Sequence, residues 1–83
     1  MKINNPRELS NFLKYQRKKV KRTQDDVSSK IGIQQQTISA IERNSTQTKL
    51  ETLFRVISEL DLELHLTERK SSLKSVNDWH EEW

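Results

Sequence analysis

The stretch TQDDVSSKIGIQQQTISAIE, Thr23 to Glu42, decides how this chain is read. Two short helical patterns flank Gly32, the single glycine of the sequence. Thr23 is suited to cap the first, and Asp26 three residues on can complete a capping arrangement. Val27 and Ile31 recur at i and i+4, which gives that helix one apolar face. Gly32 reaches a positive φ without steric cost, so it suits the tight turn that ends the helix. A second helix is expected from about Gln34, with Ile38 and Ile41 facing inward. At roughly 100° per residue, Gln35, Gln36, Ser39 and Arg43 then share one outward arc. A glutamine amide pairs a donor with an acceptor, matching the N6 donor and N7 acceptor on the major-groove edge of adenine. Two helices across a glycine turn, the second presenting base-reading groups, make a helix-turn-helix. Glutamine-rich helices are often no more than solvated surface, but the combined spacing here is too specific for that reading.

The same residues resemble the Cro/C1-type (XRE) helix-turn-helix family, in the pattern TQ-x7-G-x5-IS-x2-E over Thr23-Gln24, Gly32, Ile38-Ser39 and Glu42. The resemblance implies an all-α, lambda repressor-like domain of four helices. It also implies that Arg17 pairs with Glu42. An independent reason favours a partner for Arg17, which lies on the margin of an apolar stripe, where an unpaired charge is costly. The resemblance adds Ala40 to the base-contacting set, so that Gln35, Gln36, Ser39 and Ala40 are expected at base edges. It assigns Gln24 and Arg43 to phosphates; Lys21, Arg22 and Thr37 complete the expected phosphate set. Family members usually place a glycine near Lys21, so here a lysine must make that turn.

Composition sets the limits. With 83 residues, 31% hydrophobic and 33% charged, one small domain with a thin core is expected. There is no cysteine, hence no disulfide framework and no thiolate metal site. Another source of stability is needed, and association with a second copy is the natural one. No apolar run reaches membrane-spanning length and no signal peptide is read at Met1-Lys2-Ile3-Asn4, so a soluble, cytoplasmic and nucleoid-associated protein is expected. The net charge of +3 is uneven: residues 1–67 carry 12 Lys/Arg against 8 Asp/Glu, and the last 16 residues carry 3 against 4. The run Arg17-Lys18-Lys19-Val20-Lys21-Arg22 stands just before the helix-turn-helix, where cations would meet phosphates.

Asn5-Pro6-Arg7-Glu8 reads as a helix start, followed by the stripe Leu9, Phe12, Leu13 and Val20. Ser45-Thr46-Gln47 reads as a loop and Thr48-Lys49-Leu50-Glu51 as a capping box. Leu50, Leu53, Phe54, Ile57 and Leu60 are expected to close the core. Leu62 to Thr67 then alternates strictly, so a strand with one apolar face is predicted. A lone strand leaves its backbone groups unpaired, and nothing else in the chain reads as a strand. Antiparallel pairing with the same strand of a second copy follows, with Leu62, Leu64 and Leu66 at the dimer interface. The expected organisation is a DNA-binding and dimerisation domain over 1–67 and a flexible tail over 68–83.

The whole chain is also similar to HipB-type antitoxins, through KIGIQQQTISAIERN, the helix containing TLFRVISELDLEL, and Trp83. That resemblance implies a homodimeric repressor of its own operon, bound to an inverted-repeat operator in double-stranded DNA. It further implies a HipA-type kinase toxin as partner, which some systems of this group divide between two chains. Trp79 and Trp83 are expected to anchor the tail on that partner, since exposed tryptophans are usually interface residues. The competing readings are a stand-alone phage-type repressor without a toxin and an interaction module that uses the fold only as scaffold. No enzyme is expected. His65 and His80 lack ligand spacing, so neither metal nor cofactor follows. Ser28, Ser29 and Ser39 lack a His–Asp arrangement, and Glu81-Glu82 sit in a tail unable to hold catalytic geometry.

Overall fold

The computed structural model describes residues 2–69. Four α-helices follow one another: α1 Pro6–Lys19, α2 Gln24–Ile31, α3 Gln35–Arg43 and α4 Leu50–Glu59. A short 3₁₀ turn, Ser45–Gln47, stands where the sequence reading placed a loop. The capping arrangements at the first two helices form. Asn5 Oδ1 accepts from Glu8 N at 2.8 Å, with Pro6 opening α1. Thr23 Oγ1 accepts from Asp26 N at 3.0 Å, and Asp26 Oδ2 accepts from Thr23 N at 2.9 Å.

Three helix ends use a left-handed residue. Gly32 has φ 75°, Lys21 φ 59° and Asp61 φ 59°. After α1, Lys21 N donates to Lys18 O at 3.0 Å and Arg22 N to Arg17 O at 3.1 Å. After α4, Asp61 N donates to Ser58 O at 3.1 Å and Leu62 N to Ile57 O at 3.0 Å. Both are Schellman closures, which satisfy carbonyls that a helix end leaves open. A Cβ built on Gly32 would meet nothing within 4 Å, so the backbone angle alone, and not space, calls for glycine there.

The core is Leu13 of α1, Val27 of α2, Ile38 and Ile41 of α3, and Val56, Ile57 and Leu60 of α4. Leu9, Val20, Ile31, Ile33, Leu53 and Leu62 pack around it. α3 lies against both α1 and α2, while α4 closes on α2. Ser10 is fully buried in α1 and accepts from Ser45 N at 2.9 Å; Ser45 Oγ donates to Pro6 O at 2.8 Å. Losing the Ser10 acceptor would strand a buried N–H, at about 1–3 kcal/mol. Gln16 Nε2 donates to Leu60 O at 3.2 Å, tying α1 to the end of α4.

Two expectations are corrected. The box at Thr48 does not form: its N–H closes the 3₁₀ turn on Ser45 O at 3.1 Å, so Lys49 becomes the cap without a side-chain bond. Glu51 instead pairs with Arg55 at 3.0 Å on the surface. Leu50 and Phe54 are 70% and 50% exposed, and Val56 takes the core position. The apolar arc of α4 is wider than one domain covers, so its far edge faces outward. Residues 62–67 are not in a strand among the described residues; a ladder needs a neighbour, and the one expected for this segment is a second copy. Arg69 Nη2 reaches Asn4 Oδ1 at 3.1 Å, which brings the segment back beside the start of α1. The expected tail anchors, Trp79 and Trp83, lie outside the described residues.

Candidate nucleic-acid interface

The outward arc of α3 carries Gln35, Gln36, Thr37, Ala40 and Arg43 exposed, with Ser39 half-buried beside them. Ile38, Ile41 and Glu42 occupy the opposite side and are buried. The arc is thus held by apolar anchors every three or four residues, which leaves its polar groups free of packing duties. Gln34 caps α3 through its backbone alone, without a side-chain hydrogen bond. The Thr37 N–H closes on Gln34 O at 3.0 Å, so the backbone donors of Gln35 and Gln36 are those left for an outside acceptor. Arg43 Nε approaches Ser39 O at 3.4 Å and is otherwise directed to solvent.

Behind the arc stands a buried ion pair. Arg17 Nε donates to Glu42 Oε2 at 2.5 Å and Arg17 Nη2 to Glu42 Oε1 at 3.2 Å, a two-pronged contact. Arg17 Nη1 donates to Arg22 O at 2.7 Å, so the guanidinium also fastens the turn between α1 and α2. The side chains are 11% and 6% exposed, and removing either partner alone would leave a stranded charge at a cost of about 3–5 kcal/mol. Glu42 Oε1 accepts once more, from Gln24 Nε2 at 3.0 Å. Gln24 Oε1 in turn accepts from Gln35 Nε2. Four side chains thus join the core of the domain to the first residue of α3. The amides of Gln24 and Gln35 hint at hydrogen bonding, but the bond of Gln24 to Glu42 spans 18 residues and no local pattern announces it.

The basic run before α2 divides on folding. Lys18, Lys19 and Lys21 are exposed. Arg17 is buried with Glu42, and Arg22 is half-buried against Glu59, donating through Nη1 both to its carboxylate and to its backbone oxygen, the latter at 2.8 Å. Of the expected phosphate set, Thr37 and Arg43 lie on α3, Gln24 at the start of α2 is bonded to Gln35, and Lys21 is exposed in the turn between α1 and α2, while the Arg22 guanidinium is engaged with Glu59 of α4. Asp26, at the start of α2, has its carboxyl held below the ordinary 3.8, first by the Thr23 backbone N–H and then by the Thr23 side chain.

The apolar residues beyond α4 are arranged differently from one another. Leu62 packs on the core, whereas Leu64 and Leu66 are 52% and 89% exposed. His65 lies 3.1 Å from Glu63 on the surface, and no group of three potential metal ligands occurs among the described residues. No helix among them is long and apolar enough to cross a membrane.

Comparison with known proteins identifies the fold and the family. The helix-turn-helix family model matches residues 13–66. Antitoxin HipB of Escherichia coli strain K12 is 37% identical, over 99% of this chain and 94% of its own length. The fold superimposes on HipB in a HipA–HipB–O2–O3 complex with a TM-score of 0.81 at 38% identity, covering 84% of this chain and 99% of that one. A complex of HipB with an O2 20mer gives 0.80, also at 38% identity, over 84% and 97% of the two chains. The chain belongs to the Cro/C1-type helix-turn-helix family and, within it, to the HipB antitoxins.

Proposed function

We propose that this chain is a dimeric, operator-binding repressor and the antitoxin of a HipA-type kinase toxin, with a binding rather than a catalytic role. The observation that carries the reading is the outward arc of α3, an amide-rich face held rigidly by buried residues on its other side. Gln35 and Gln36 would read base edges, Ser39 would join them, and Ala40 would meet a thymine methyl. Lys21, Gln24, Thr37 and Arg43 would fix the register through phosphates, with Arg22 contributing less because Glu59 already holds it. HipB relatives solved on operator DNA and together with HipA support the same assignment and the same two partners. Such a protein works in the cytoplasm, at the nucleoid.

The dimer would form through Leu62, Leu64 and Leu66, each chain giving the other the strand partner it lacks. The exposure of Leu64, Leu66, Leu50 and Phe54 favours this, because large apolar side chains left outward in that number call for a cover. The tail residues Trp79 and Trp83 enter the proposal from the sequence, as anchors on the toxin within the segment 68–83.

The experiment is a binding titration at fixed salt on a selected duplex and on unrelated DNA. Gln35→Ala combined with Gln36→Ala should lose discrimination worth about 1–3 kcal/mol for each two-pronged base contact, with non-specific binding preserved. An unchanged preference in the double variant would remove the base-reading role from this face.

A further inference from the structure

We propose that Glu42, acting through Gln24, is a positioning residue that determines which hydrogen-bonding pattern Gln35 offers to DNA. The proposal rests on the DNA-reading role of α3 and deepens it. The argument is one of polarity. An ionised carboxylate only accepts hydrogen bonds, whereas an amide can present either its oxygen or its NH2 group to a neighbour. Glu42 is fixed by the two-pronged Arg17 contact and is buried, so it cannot turn away. Gln24 must therefore aim its NH2 at Glu42 Oε1, as it does at 3.0 Å. That choice leaves Gln24 Oε1 on the other side, where it accepts from Gln35 Nε2. Gln35 in turn spends one N–H on Gln24 and keeps its second N–H and its Oε1.

Those two remaining groups are the paired donor and acceptor that adenine matches through N7 and N6. Were the chain of amides free to reverse, Gln35 would point its oxygen away from DNA toward a Gln24 NH2. It would then offer donors only, which suit guanine O6 and N7 instead. The acceptor-only group at the buried end thus excludes the reversed arrangement at the exposed end. Glu42 has two separable duties: charge balance for Arg17, and polarity for the reading face.

The test uses the full-length chain and a short duplex that the parent protein selects from a random pool. Each base pair of that duplex is replaced in turn, and the position read by Gln35 is identified as the one at which Gln35→Ala loses discrimination. Glu42→Gln, which keeps the shape but can donate as well as accept, should lower discrimination at that one position about tenfold and leave the positions read by Gln36 unchanged. Because Glu42→Gln also weakens the Arg17 pair, Gln24→Met is measured beside it. Gln24 is only half-buried, so this variant keeps the ion pair and fold while cutting the relay. It should show the same position-specific loss, on top of a uniform loss from its phosphate contact. Equal loss at every position in both variants, or full retention of discrimination at the Gln35 position, would overturn the relay. A parent protein that selects no sequence would overturn the DNA-reading role itself, and the relay with it.

Discussion

At the scale of single residues, Lys21 is the position that departs most from its conformational preference. Its φ of 59° costs a residue with a Cβ roughly 1–2 kcal/mol, and the turn it makes is closed by two hydrogen bonds rather than relaxed. Asp61 adopts the same angle with less strain, since a short polar side chain tolerates the left-handed region. Lys21→Gly should therefore stabilise the fold. Glycine returns about 0.5–1 kcal/mol through its larger unfolded-state entropy, which leaves a net gain of up to about 1.5 kcal/mol. Denaturant midpoints at constant slope measure it. If Lys21 contacts a phosphate, the same variant should bind all DNA sequences more weakly, with the salt slope reduced by about 1. Greater stability with weaker binding would show that the lysine stands there for its charge.

At the scale of elements, α2 shows how a helix is started from both ends of one short segment. Thr23 and Asp26 exchange hydrogen bonds, which satisfies two donors that the first turn would otherwise leave open. The Asp26 carboxyl is lowered in the folded state, chiefly by the Thr23 backbone N–H, so its contribution is fully present above the unfolded value. It is lost as pH falls through the folded value. Asp26→Asn removes the charge and keeps an acceptor. The parent should melt at a higher temperature than this variant near neutral pH, and the gap should close on acidification below the ordinary carboxylate range. A gap that stays constant with pH would mean that packing, not the charge, distinguishes the two. The start of α4 has no such device, and its first turn is correspondingly exposed at Leu50 and Glu51.

At the scale of the whole molecule, the described domain has more apolar surface than it can bury. Seven hydrophobic residues form its fully buried core, while Leu50, Phe54, Leu64 and Leu66 face outward. A second copy that pairs strand to strand over 62–67 would cover the leucines and satisfy the backbone in one step. It would also set two copies of α3 about one helical turn apart, roughly 34–36 Å, and so require an inverted repeat. Leu64→Pro removes a ladder donor and constrains the backbone. By sedimentation it should dimerise more weakly than the parent, with the helical domain still folded by circular dichroism. Dimerisation as tight as the parent's would place the interface on α4 alone.

Local chemistry was enough to determine the helix-turn-helix. Asn5 and Thr23 as caps, Gly32 as the turn, and Ile38 and Ile41 as anchors act within one or two helical turns, so their consequences are legible in the order of residues. The partition of α4 was not legible: Leu50 and Phe54 continue its apolar spacing, yet Val56 turns into the core formed with the other helices and they do not. The fates of Arg17 and Arg22 were likewise decided in three dimensions, because two arginines of one basic run meet carboxylates 25 and 37 residues away. The same holds for Gln24, whose place between Glu42 and Gln35 exists only once α2 and α3 are packed. Periodicity tells which face of a helix is apolar; which neighbour that face meets is set by the packing of the whole chain, and that is a tertiary property.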